Sequence, residues 1–236
     1  MLSCFPSAGL APTVAGHYIL QTLKLPRIGT LSSEDFPPLA VIQGGRVNPP
    51  VRAYAQKDLV LILSEFPLLP NLINPVSAAI LSVAAQLKVS RIIGLEGVVP
   101  HPFEPDEAVT QPDESVWYAG SGSTDGLPPE YKAAGVRAMT DGVIGGVSGA
   151  LLVQGMGSSI PVEVLLVSAT DAGYPDHRAA AKIIEVIDQL LPHVKIDTRP
   201  LRSQAEMIER ALRAATKSRE AAAEAPAKPG ELPIYQ

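Results

Sequence analysis

Short apolar runs of strand length alternate with segments of helical spacing along most of this chain, and that alternation restricts the fold more than any other feature. Leu59-Val60-Leu61-Ile62-Leu63, "RIIGLEGVV" and Val162 to Val167 are continuous enough to be buried on both faces of a sheet. Between them lie segments whose apolar residues recur every three or four positions, which predicts an α/β fold with a doubly wound, mostly parallel sheet flanked by helices. A first strand at Leu2 to Phe5 leads through "PSAGLAP" to a helix over Thr13 to Leu23, with Val14, Tyr18 and Leu23 on one face. "LAVIQGG", "VRAYAQ" and "LVLILSEF" then form an antiparallel excursion that returns to the central sheet at Leu59 to Ser64. In "NPVSAAILSVAAQLKVS" a helix is expected with Pro75 near its first position and Val76, Ile80, Val83 and Leu87 on its apolar stripe. Residues 101–135 are rich in Pro, Gly and acidic side chains and read as surface loop around a brief βα element, with a strand at Val116 to Ala119. After "DGVIGGVSGALLVQG", a short helix, and the strand "PVEVLLVSA", a turn opens a strong helix lined by Ala180, Ile183, Ile184 and Ile187 and stopped by Pro192.

The last helix is expected over Pro200 to Ala223, with Leu201, Ala205, Ile208, Leu212 and Ala215 at 4-3-4-3 spacing. Beyond Ala215 the apolar stripe is lost, and from Pro226 the prolines of "PAKPGELP" forbid a helix. At about 3.3 Å per residue that linker spans roughly 25 Å. The chain divides into an α/β domain over residues 1–200, a C-terminal helix over 201–224 and a flexible linker and tail over 225–236.

Composition removes several function classes. A hydrophobic fraction of 46% against 18% charged residues argues for a folded body. The net charge of −5 and the 5% aromatic content offer neither a phosphate-binding surface nor a stacking platform, so nucleic acid is not an expected partner. With Cys4 as its one cysteine the chain closes no internal disulfide and carries no Cys/His zinc set, which fits a reducing cytoplasm. No apolar run approaches the roughly 20 residues that span a bilayer, and no basic segment precedes the first apolar residues as in a secretory signal. Neither a membrane partner nor a cofactor is expected.

Two stretches carry possible chemistry. Gly142, Gly145, Gly146 and Gly149 around Ser148 suit close packing, or else an anion at a helix start. They lack the Lys-Ser/Thr of a P-loop and the nucleophile-elbow spacing. "TDAGYPDHRAA" gathers Asp171, Tyr174, Asp176, His177 and Arg178 after a strand, where α/β enzymes place ligands. The same residues suit a turn with Asp176 capping the following helix. Glu96 and His101 sit near another strand end. A metal site has no motif behind it.

"DFPPLAVIQGGRV", "LVLILSEFP", "IIGLEG", "DGVIGGVSGALLVQG", "ATDAGYPDHRAAAKIIEVIDQLLPHVKID" and "EMIER", in that order, resemble the PAC2 family, the proteasome assembly chaperone family. The resemblance covers most of residues 1–215. It implies an α/β fold related to nucleoside phosphorylases without their catalytic function, a non-enzymatic part in proteasome core assembly or activation, and a homo-oligomer. Against that background Ile234-Tyr235-Gln236 matches the hydrophobic-Tyr-X motif that docks into pockets between neighbouring α subunits of the 20S core. The resemblance therefore implies 20S proteasome α subunits as partners, Ile234, Tyr235 and Gln236 as partner-binding residues, and no catalytic residue. The reading set beside it is an enzyme that binds a nucleoside or another small ligand through the strand-end residues Asp171 to His177.

Overall fold

The computed structural model describes residues 1–99, 114–122, 126–170, 174–191 and 194–224. His101, Asp171, Pro192 and the tail with Ile234, Tyr235 and Gln236 lie outside the described residues. The strands are β1 (Leu2–Cys4), β2 (Arg27–Leu31), β3 (Val41–Gln43), β4 (Arg46–Asn48), β5 (Val51–Gln56), β6 (Leu59–Ser64), β7 (Ile92–Val98), β8 (Val116–Gly120), β9 (Arg137–Ala138) and β10 (Val162–Ser168). The helices are α1 (Ala11–Leu23), α2 (Pro70–Gln86), α3 (Pro129–Ala133), α4 (Gly146–Gln154), α5 (His177–Leu190) and α6 (Arg199–Glu224), and a 3-10 turn at Ala8–Leu10 precedes α1.

Eight strands form one sheet in the order β2-β5-β6-β1-β7-β10-β8-β9, with β3 and β4 as a separate hairpin ribbon. The central strands β6, β1, β7 and β10 are mutually parallel. Beyond them β5 and β8 run antiparallel to their inner neighbours. Because side chains alternate across a strand, each central strand feeds two cores. Leu61, Leu63, Ile93, Leu95, Leu165 and Val167 face α1 and α5, whereas Ile62, Ile92 and Val162 face α2 and α4. Helices on both sides leave β10 buried along its whole length, which is why all of its residues but Glu163 and Ser168 are apolar. Cys4 is a packing residue in the first core, and burial pushes its thiol pKa up.

Three expectations change. The helix that follows β6 begins at Pro70, so Pro75 lies inside it instead of at its start. Leu69, extended before it, and Pro70 at the first position open the helix one turn earlier than the turn-forming "NP" implied. The strand β2, missed in the sequence, pairs with β5 across a register shift between Arg27 and Gly29. Within 101–135, α3 is more than surface: Tyr131 is fully buried, packs against Tyr118 at 4.6 Å between ring centroids, and donates to Glu163 Oε2 at 2.6 Å.

The antiparallel excursion is held by a buried cation. Arg52 on β5 is 0% exposed, so every polar atom of its guanidinium needs a partner. Nε donates to Tyr54 Oη at 2.7 Å, Nη1 to the Pro49 carbonyl at 2.8 Å, and Nη2 to Glu65 Oε1. His17 Nε2 on α1 lies 2.9 Å from the same Glu65 oxygen. These contacts tie β5, the end of β6 and α1 together. Arg52→Ala leaves Glu65 without its main partner and opens a cavity in the sheet, so it is expected to lower unfolding free energy by about 3–5 kcal/mol. A urea titration at neutral pH checks this.

Candidate functional site

In open α/β sheets ligands gather at the carboxyl ends of the parallel strands. Here that edge is organised by the 3-10 turn after β1. Gly97 on β7 passes so close beneath it that a Cβ at Gly97 would stand 2.1 Å from the Ala8 carbonyl oxygen. Two contacts follow from this approach, one on each face of the sheet.

On the α2/α4 face, Glu96 extends from the end of β7. Ser7 Oγ accepts from the Gly97 amide at 2.7 Å, and its hydroxyl favours the charged form of the Glu96 carboxylate. Ser148, buried in the first turn of α4, favours the charged form as well. Burial nevertheless outweighs the two hydroxyls and raises the Glu96 pKa from 4.5 to about 7. The carboxyl forms the polar end of a cleft of about 130 Å³ whose walls include Phe5, Pro6, Leu68, Ile73 and Val147.

On the α1/α5 face, Asp176 ends the connection from β10. Its Oδ1 accepts from the amides of Arg178 at 3.1 Å and Ala179 at 2.9 Å. Its Oδ2 accepts from the Thr170 amide at 2.9 Å and the Thr170 hydroxyl at 3.1 Å. A carboxylate has about four acceptor sites, so this one is fully used as a helix cap. The Asp176 amide also donates to the Gly9 carbonyl at 2.7 Å, pinning the turn from the second side. Gly9 has φ +61°, and a Cβ there would lie 2.8 Å from that of Asp176.

The acid–base reading of this stretch therefore loses Asp176 to capping. His177 Nδ1 lies 3.0 Å from the Pro175 carbonyl, Arg178 pairs with Glu209 on α6, and the adjoining cavity of about 30 Å³ has room for about one water. The glycine cluster packs closely at Gly149, where a Cβ would lie 2.1 Å from the Ile144 carbonyl oxygen. Among the described residues no group of three His, Cys, Asp or Glu is placed to hold a metal ion. No helix among them is long and apolar enough to cross a membrane.

The remaining feature is the root of α6. Leu201 and Ala205 are buried against the body. Arg202 donates to both oxygens of Glu185 on α5, at 2.7 and 2.8 Å, and to both oxygens of Glu114 before β8, at 2.9 and 3.1 Å. With Arg178–Glu209 these contacts fix the first turns of a helix that runs on to Glu224. At 1.5 Å per residue its 26 residues extend about 39 Å.

The fold and site thus define a doubly wound α/β body whose C-terminal helix is bolted on at its root. The sequence matches the profile of the PAC2 family over residues 1–216, and the chain belongs to that family. Its structure is similar to that of Pyrococcus furiosus PbaA, described as an archaeal homolog of proteasome-assembly chaperone, with a TM-score of 0.80 and 28% identity over 94% of this chain and 88% of that one. Pyrococcus furiosus PbaB, described as an archaeal proteasome activator, shares the fold with a TM-score of 0.74 and 21% identity over 91% of this chain and 92% of that one. In sequence, the uncharacterized protein MJ0106 of Methanocaldococcus jannaschii is 26% identical over 213 residues, covering 90% of this chain and 83% of the relative.

Sequence reasoning placed Glu96 at a strand end but missed Ser7 and Ser148 as its partners. The available signal was the pair Gly94 and Gly97 in an otherwise apolar strand, a sign of close approach by other chain segments. Since the unfolded chain gives up the Glu96 proton near 4.5 and the folded one near 7, this group favours the native state below about pH 4.5, and that contribution is lost as pH rises toward 7. Glu96→Gln cannot ionise and keeps nearly the same side-chain shape. Its urea midpoint is expected to fall less between about pH 5 and pH 8 than that of the wild type; an equal fall in both proteins would contradict the assignment.

Proposed function

We propose that this protein is a cytoplasmic, non-enzymatic proteasome assembly chaperone or ATP-independent activator that docks Ile234, Tyr235 and Gln236 into pockets between neighbouring α subunits of the 20S core. The observation that carries the reading is membership of the PAC2 family together with likeness to PbaA along nearly the whole chain. Use of Asp176 as a saturated cap, in place of an acid–base group, is consistent with a role without catalysis.

In this reading residues 1–200 are the body, 201–224 the stem and 225–236 the linker and docking tail. Ile234 fills an apolar slot, Tyr235 supplies a large rigid contact with a hydroxyl to satisfy, and the Gln236 α-carboxylate pairs with a pocket Lys or Arg. One triplet binds weakly. A homo-oligomer presents several tails to a ring of equivalent pockets, which raises their effective concentration. Apolar side chains exposed on the β3–β4 ribbon, Ile42 and Val47, and on and just beyond α4, Val153 and Met156, supply surface for such self-association.

The test compares full-length protein with a variant ending at Pro233 for binding to a purified 20S core, with fluorogenic peptide hydrolysis followed in the same samples. Tail-dependent binding with faster hydrolysis is the outcome expected of an activator, and tail-dependent binding at unchanged hydrolysis that of an assembly chaperone. Equal binding by the two forms would refute docking through the triplet.

A further inference from the structure

We propose that the cleft at the carboxyl ends of β1, β6 and β7 is a binding site for a small organic cation, a primary amine or amidine carried on a compact apolar body. The cleft has one polar end and otherwise apolar walls, the usual build of a small-molecule site. Its volume of about 130 Å³ is near the roughly 150 Å³ that holds a benzene ring. The body of the ligand is therefore about one ring in size.

Charge selects the rest of the ligand. Glu96 is the one ionisable residue among the described residues that line the cleft. The Ser7 and Ser148 hydroxyls favour its charged form, but among the described residues no set of donors fills its acceptor sites as four do at Asp176. Three other partly buried carboxylates have cations: Glu65 has Arg52, Glu185 has Arg202, and Glu163 has Arg91 at 3.7 Å. No described residue forms such a pair with Glu96. An ammonium or amidinium in the cleft supplies the missing partner through charge-assisted hydrogen bonds while its ring covers Phe5, Ile73 and Val147. A neutral ligand of the same shape leaves the charge unpaired.

The residues that line the cleft are not those of the proposed docking triplet, so its test is independent of proteasome binding. Benzylamine and benzyl alcohol, alike in shape and different in charge, are titrated into the full chain at about pH 8 and followed calorimetrically. Saturable benzylamine binding is expected, at least about tenfold tighter than that of benzyl alcohol. Glu96→Gln should remove the preference for the amine, and Ile73→Trp, which enlarges a side chain of the cleft wall, should abolish binding of both probes. Absence of saturation by about 50 mM benzylamine, equal affinity for the two probes in the wild type, or a preference that survives Glu96→Gln would each overturn the proposal.

Discussion

The Ala8 carbonyl lies where a side chain on Gly97 would have to stand, and the strand-end architecture depends on that contact. Because the 3-10 turn can settle onto β7, Ser7 reaches Glu96 on one face and the Gly9 carbonyl receives the Asp176 amide on the other. A single backbone approach thereby couples β1, β7 and the start of α5, which come from distant parts of the sequence. Any larger residue at Gly97 would lift the turn and disturb both carboxylates at once.

Three charged side chains at this end of the sheet show how differently burial can be managed. Arg52 is wholly enclosed, yet it has a phenol, a carbonyl and a carboxylate around it, so its charge is retained. Asp176 spends its full acceptor capacity on backbone and threonine donors and becomes a fixture of the fold. Glu96 has hydroxyls and no cation, and its proton affinity rises accordingly. Sequence position at a strand end was common to Asp176 and Glu96. The number and type of donors separate a structural carboxylate from one with acceptor sites to spare.

Much of the body was legible because two-sided burial leaves a strong signature. Mainly apolar strands such as β6 and β10, and the apolar stripe of α5, follow directly from being covered by helices or a sheet. Asp176 as a cap was legible for a local reason, since cap and capped amides lie within three residues. What escaped was long-range or edge-dependent. β2 has no buried residue to mark it. The start of α2 was displaced because Pro75 suits a first turn equally well in isolation. The serines around Glu96 lie 89 and 52 positions away, and no periodicity links them. The role proposed for Ile234, Tyr235 and Gln236 comes from family resemblance alone, and those residues lie outside the described ones.

The ends of the eight-stranded sheet have a further consequence. On one side it finishes with β9, two residues long, and on the other with β2, whose pairing is broken by a register shift between Arg27 and Gly29. Open strand edges are templates on which other chains can zip up, and short or irregular edges blunt them. With so little regular backbone left unpaired, continuous sheet growth from one molecule into the next is disfavoured. The fold can therefore be present at high local concentration with the main-chain hydrogen bonding of this sheet kept to itself.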